Sequence, residues 1–174
     1  MEQAILLAIQ RYMGIPCLVQ ISQFLGMIAE HGEVWILFLL FLLCFKKTRK
    51  MALLGFAALV VEAVLVNLVL KPLLHRSRPC MVNPSLLKGS FCPKDYSWPS
   101  GHSASSFAVA GVFLWSKTRY RFVMITFAMM IAFSRMILYV HWFSDILSGI
   151  GIGLGISYLA VYSQRFEHFS RINV

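Results

Sequence analysis

Long apolar runs separated by short polar clusters set the pattern of this chain. The clearest run, 51–70, is interrupted only by Glu62 and Asn67, and 122–140 and 146–162 follow it. A helix that crosses a bilayer needs ~20 residues. The runs 32–45 and 103–115 fall short of that and need flanking polar residues, such as the lysines after Phe45, to snorkel to the interface. The pattern predicts spans starting near residues 32, 51, 102, 120 and 142. Residues 1–30 break it: Gln10, Arg11, Gln20 and Gln23 interrupt the apolar positions, and Gly14 and Pro16 split the segment. Interfacial helices are the preferred reading, with a sixth span as the alternative. The expected fold is therefore an all-α polytopic membrane bundle of five or six transmembrane helices. It would form one domain over 1–174, with a core at 31–163 and a tail at 164–174.

Composition agrees. The 174 residues are 59% hydrophobic with a mean hydropathy of +0.72, too apolar for an ordinary soluble domain. The net charge of +9 does not point to nucleic acid, because the basic residues form short clusters between apolar runs rather than one stripe. The clusters 46–50 and 117–121, with Arg165 and Arg171, lie at alternate turns and hold nine of the 16 Lys and Arg residues. That side is expected to be cytoplasmic. Residues 71–101 and the turn around His141 then face outward, and every unusual polar residue gathers there. The start of the chain, with Glu2 where a basic segment would stand, does not read as a signal peptide.

Three groups carry the chemistry. "KPLLHRSRP" (71–79) places Lys71, Arg76 and Arg78 at the membrane surface with no obvious carboxylate beside them, and Pro72 should stop a regular helix. Alone it reads more readily as a loop touching lipid headgroups. "PSGH" (99–102) puts Ser100 and Gly101 at a helix start, where backbone N–H groups can face an anion or Ser100 can simply cap. "SRMILYVHWFSD" (134–145) buries Arg135 in an apolar run and spaces His141 and Asp145 four apart, on one face of a helix. Cations and N–H groups together suit a phosphate. Two histidines suit a two-step transfer. With one carboxylate expected among several cations, the cluster does not resemble a Mg²⁺ site, and no metal or other cofactor is expected.

The three groups resemble the type 2 phosphatidic acid phosphatase superfamily, whose pattern is K-x6-RP, then PSGH, then SR-x5-H-x3-D. Here it reads Lys71 to Arg78-Pro79, Pro99-Ser100-Gly101-His102, and Ser134-Arg135 to His141 and Asp145. The resemblance spans about 30–163. It implies a metal-independent helical-bundle phosphatase with His141 as nucleophile, Asp145 orienting it and His102 as general acid. Lys71, Arg78, Arg135, Ser100 and Gly101 would hold the phosphoryl group. It implies a membrane-lipid phosphate as partner, in a bacterial cytoplasmic membrane with the site facing outward. Undecaprenyl diphosphate is the first choice of substrate, with phosphatidylglycerophosphate, phosphatidic acid and lipid A as alternatives. Some relatives that act on undecaprenyl diphosphate carry Asp where Gly101 stands. A non-catalytic lipid-phosphate binding or transport protein is the competing class.

Other residues carry smaller expectations. Cys80 and Cys92 flank the outer loop, where a disulfide is permitted and would contribute ~3 kcal/mol. Cys17 is expected to pack. Glu62 reads as a neutral or paired residue holding helices together. His75 and Arg76 occupy variable motif positions and are not expected to be catalytic. His31 and His168 read as surface residues, and Ser103, Ser105 and Ser106 as helix packing. The glycines of 149–157 read as a close-packing stripe rather than a nucleotide loop.

Overall fold

The computed structural model describes residues 1–88 and 91–172, with side chains as far as Gln164. Arg165, His168 and Arg171 therefore have no described side-chain placement. The described residues are helical and contain no strand. The helices are α1 (Glu2–Met13), α2 (Pro16–Ile28), α3 (Glu33–Leu43), α4 (Arg49–Ala63), α5 (Lys71–Leu74), α6 (Pro79–Val82), α7 (Gly101–Trp115), α8 (Arg121–Ile137) and α9 (Phe143–Ile172). The predicted starts lie within two residues of the starts of α3, α4, α7, α8 and α9.

The bundle is built around α7. Every residue from Ser103 to Phe113 is buried, as expected of a helix that is apolar or small on all sides. Ala104 and Ala108 present a low surface to α9, and the glycine stripe exploits it. A Cβ at Gly149 would lie 2.6 Å from the Ser100 carbonyl, and one at Gly153 would lie 2.7 Å from the Ala108 nitrogen. Gly151 and Gly155, on the other face, would meet nothing within 4 Å. Close packing is thus the role of the stripe, and the α7–α9 contact rests on it. Trp35 on α3 joins the core by donating from Nε1 to Ser106 Oγ at 3.0 Å. Outward-facing Leu37, Phe41, Leu53, Leu68, Phe122 and Leu159 are exposed, a periphery that suits lipid rather than water. Cys17, expected to pack, is exposed as well.

The segment Arg49–Val82 and the described part of α9, Phe143–Gln164, are long and apolar enough to cross a membrane alone. Helices α3, α7 and α8 have 11, 15 and 17 residues. The α4 segment does not stop at Pro72. It widens into a π-helical stretch, Val64–Leu70, and runs through Pro72 to Leu74, ending where His75 adopts a left-handed φ of 49°. Pro72 has no N–H to offer the carbonyl one turn back, and the wider turns directly precede it.

Residues 1–30 are not one straight span, because α1 and α2 meet at 116° around Gly14 and Pro16. Helix α1 bridges the ends of two core helices. Gln10 Nε2 donates to the Ile137 carbonyl at the end of α8 (2.6 Å), and Glu2 Oε1 accepts the Ser144 N–H at the start of α9 (2.9 Å). Helix α2 packs along α8. The end of the α4 segment, the start of α7, the end of α8 and the start of α9 thus meet at one end of the bundle. The basic clusters 46–50 and 117–121 sit at the opposite end of these helices.

Candidate active site

At the meeting point lies a cavity of about 1040 Å³ whose wall includes Lys71, Arg78, Gly101, His102, Arg135 and His141. All three groups singled out in the sequence reach it. Backbone hydrogen bonds hold them in register: Ser97 N–H donates to the Arg76 carbonyl (2.8 Å), and Ser100 N–H to the Asp145 carbonyl (3.1 Å). The disulfide between Cys80 and Cys92 forms and ties the first group to the loop before the second.

His141 stands in the turn after α8. The chain reaches it through a left-handed residue, Tyr139 (φ 62°), with Val140 N–H donating to the Arg135 carbonyl at 3.1 Å. This is a Schellman-type helix end formed without glycine. Its result is that the Val140 carbonyl and His141 Nε2 both face Arg78, whose Nη1 donates to them at 2.9 and 3.0 Å. A guanidinium can only donate, so Nε2 is the acceptor and the neutral ring carries its proton on Nδ1. Nδ1 lies 3.5 Å from Asp145 Oδ2 and makes no hydrogen bond among the described residues. Burial pushes the imidazole down to about 4, against the raising influence of Asp145, so at neutral pH Nε2 is unprotonated and its lone pair is turned toward Arg78.

Asp145 is fully buried behind His141 and does not line the cavity. Its Oδ2 accepts from the Ser97 hydroxyl and from Trp142 N–H (2.8 Å), and Oδ1 accepts from Arg76 Nη1 (2.6 Å). The Trp142 contact is also a helix cap, a third-position acid reaching back to the start of α9. His102 sits in the first turn of α7 with Nε2 3.3 Å from the Gly26 carbonyl, which accepts only, so Nε2 carries its proton. Arg135 donates to the Ser22 carbonyl at 2.9 Å and to Ser134 Oγ at 3.0 Å, and has no carboxylate within ion-pair distance among the described residues.

This arrangement can seat an anion of several oxygens against a neutral, oriented imidazole, with a second histidine beside it. A family model described as the PAP2 superfamily matches residues 50–169. An undecaprenyl-diphosphatase from Sulfolobus acidocaldarius is 34% identical over 149 residues, covering 83% of this chain and 71% of that protein. The chain belongs to the PAP2 superfamily. In fold it is similar to the crystal structure of a transmembrane PAP2 type phosphatidylglycerolphosphate phosphatase from Bacillus subtilis. The TM-score is 0.71 at 22% identity, over 95% of this chain and 85% of that one. The chain is a membrane-embedded PAP2 phosphatase.

Several expectations need correction. Ser100 serves the cap and not the cavity wall: it is fully buried and its Oγ accepts from Ser103 N–H (3.4 Å) and Ser103 Oγ (3.1 Å). Gly101 does line the cavity, and a Cβ there would have its nearest neighbours at Lys71 Nζ (3.9 Å) and Asn67 Oδ1 (4.0 Å). The cations of the first group are not free of carboxylates. Asp95, which also lines the cavity, pairs with Lys71 and with Arg78 Nη2 at 2.8 Å. Arg76 pairs with Asp145 and Glu2, so a variable motif position holds the acid behind the histidine. Ser105, buried as expected of a packing residue, also borders the cavity, and so does His31, which is exposed as expected. Glu62 is buried in the cavity wall and its Oε1 has no hydrogen-bond partner among the described residues, so of its two readings the neutral one stands and the paired one does not.

The N-terminal helices are the larger omission. Gly26 exists for Arg135: a Cβ at that position would collide with the guanidinium, its Nη1 at 2.5 Å and its Nη2 closer still. Ser22 and Gly26 also act through backbone carbonyls, which any sequence carries, and the one residue signal, the glycine itself, does not name Arg135 as the group it makes room for. Glu2 was visible as an acid misplaced for a signal peptide, and Asp95 as an acid beside the second PAP2 group.

Proposed function

We propose that the chain hydrolyses a lipid-linked phosphate at the outer face of a bacterial cytoplasmic membrane, with undecaprenyl diphosphate as substrate. The observation that carries the reading is His141, buried at the cavity wall with Nε2 toward the cations and Nδ1 toward Asp145. His141 Nε2 attacks the terminal phosphorus, and the bond from phosphorus to the bridging oxygen breaks. The departing lipid phosphate takes a proton from His102, which enters the step as imidazolium and is left as neutral imidazole. Water then attacks the phosphohistidine, giving a proton back to His102, and inorganic phosphate leaves. Asp145 keeps the Nδ1 proton in place and stabilises the imidazolium character of the intermediate. Lys71, Arg78, Arg135 and the N–H groups opening α7 hold the phosphoryl oxygens as charge builds on them, with Ser100 supporting that helix start. The apolar cavity wall, including Phe24, Met27, Phe56 and Leu59, takes the tail.

The Sulfolobus relative's name supports the diphosphate substrate. A second reading is a phosphatidylglycerophosphate phosphatase. It is favoured by the unpartnered Glu62 oxygen, which suits a hydroxyl donor that a glycerol headgroup has and a polyprenyl chain lacks. The test is phosphate release across undecaprenyl diphosphate, phosphatidylglycerophosphate, phosphatidic acid and lipid A, with acid-labile ³²P trapped on the protein. The diphosphate should give the highest kcat/KM, and EDTA should leave it unchanged. Binding of these lipids without turnover would favour the non-catalytic class.

A further inference from the structure

Lys71 and Arg78 enter the cavity already paired. Asp95 places one carboxylate oxygen on Lys71 Nζ and the other 2.8 Å from Arg78 Nη2, while its own carbonyl accepts from Arg78 Nε at 3.0 Å. A two-oxygen anion straddling two cations is the pose a phosphoryl group would take. The Asp95 side chain is 47% exposed and that of Arg78 only 4%, so the carboxylate covers the pair from the open side. Burial alone would raise this carboxyl, but the two cations hold it below the usual carboxylate range, and it is charged at neutral pH. Two anchors keep it near: Cys92, bonded to Cys80, and Ser97 N–H on the Arg76 carbonyl. Displaced from one cation, it stays at high effective concentration.

We propose that Asp95 is an internal counter-ion of the phosphate subsite, occupying the Lys71–Arg78 pair when the site is empty and competing with phosphate for it. The proposal rests on Lys71 and Arg78 being phosphoryl ligands. Competition weakens every anion alike, but only a lipid substrate has an apolar tail to restore the loss. Asp95 therefore keeps the site from filling with free phosphate, including its own product, and speeds product departure, while the tail keeps the lipid substrate bound.

The experiment uses the full chain in nanodiscs, with inorganic phosphate and orthovanadate as inhibitors of lipid phosphate hydrolysis. In Asp95→Asn the Ki for inorganic phosphate should fall about tenfold or more, as when a like charge in contact is removed. Asp95→Glu, which keeps the charge, should stay within about threefold of wild type by the same reasoning. Asp95→Ser carries the same expectation as Asp95→Asn, should that variant not fold by thermal denaturation. An unchanged or higher Ki in the neutral variants overturns the proposal, because Asp95 would then be aligning the cations for phosphate. A wild type that releases phosphate from no lipid sinks the phosphatase reading instead. Calorimetric binding of inorganic phosphate to wild type and Asp95→Asn still decides the counter-ion.

Discussion

Two regions build this site in different ways. Residues 71–145 contribute charged and titratable side chains, grouped in three short stretches whose spacing suits helix ends. Residues 1–30 contribute backbone carbonyls, the missing side chain of Gly26, and two polar residues, Glu2 and Gln10, that reach the ends of α8 and α9. The first region supplies the reactive groups, and the second fixes where three of them point. Chemistry concentrated in side chains leaves a pattern in a sequence. Chemistry supplied by the backbone does not.

The comparison can be broken most sharply at its extremes. His141→Ala should lower phosphate release by at least about 10³-fold in a folded protein, the scale of losing a nucleophile. Full activity would remove the motif region's claim to the chemistry. Next comes Arg76, a positioning residue that acts through Asp145 and whose second partner, Glu2, is in the other region. Arg76→Met should lower kcat about 10²-fold, as a small misplacement of the reacting groups does. KM should change little, and Arg76→Lys should recover part of the loss. A fall confined to KM would make Arg76 a substrate contact instead.

Gly26→Ala tests whether the N-terminal region is more than a prop. The new methyl must displace the Arg135 guanidinium or shift α2, an overpacking cost of roughly 1–3 kcal/mol. Activity should fall about tenfold, chiefly through KM, because a displaced cation loses a phosphoryl contact. An unchanged KM would show that Arg135 does not meet substrate. Glu2→Gln should have a smaller effect, a few-fold loss of kcat from loosening Arg76 and one N–H of α9.

The prediction that touches activity least concerns stability and pH. His141 is held near 4 in the folded protein, below the ordinary 6.5, so the unfolded chain binds its proton more readily. Its contribution to stability is intact above 6.5 and is lost as the pH falls through that value toward 4. Melting temperature should therefore drop more steeply over this interval in wild type than in His141→Gln. Parallel curves would mean that the folded imidazole is not shifted.

The five core helix starts and the three motif groups were legible because each rests on local physics: apolar run length, Pro and Gly punctuation, and residue spacing along one helix. Asp95 and Arg76 were legible as residues but not as partners. Their pairings cross from one group to another, and the direction of a side chain after a left-handed turn is not written in its neighbours. Ser100 was open between cap and ligand, and its placement as a cap follows from the approach of α9, which buries it.

The sequence by itself determined a membrane-embedded helical bundle and gathered two histidines, an aspartate and a set of cations at one end of it. That much follows from hydropathy and spacing, which need no knowledge of which helix touches which. The tertiary structure alone decided that α2 walls the site and α1 braces the ends of α8 and α9, that Arg76 rather than a cavity-facing cation holds Asp145, and that Asp95 covers Lys71 and Arg78. Those are long-range contacts, set by how closely glycine-lined helices approach and by where an ion pair finds shelter from lipid. The glycine stripe marks a helix that can come close, but no local pattern along the chain names its partner or the partner of an ion pair.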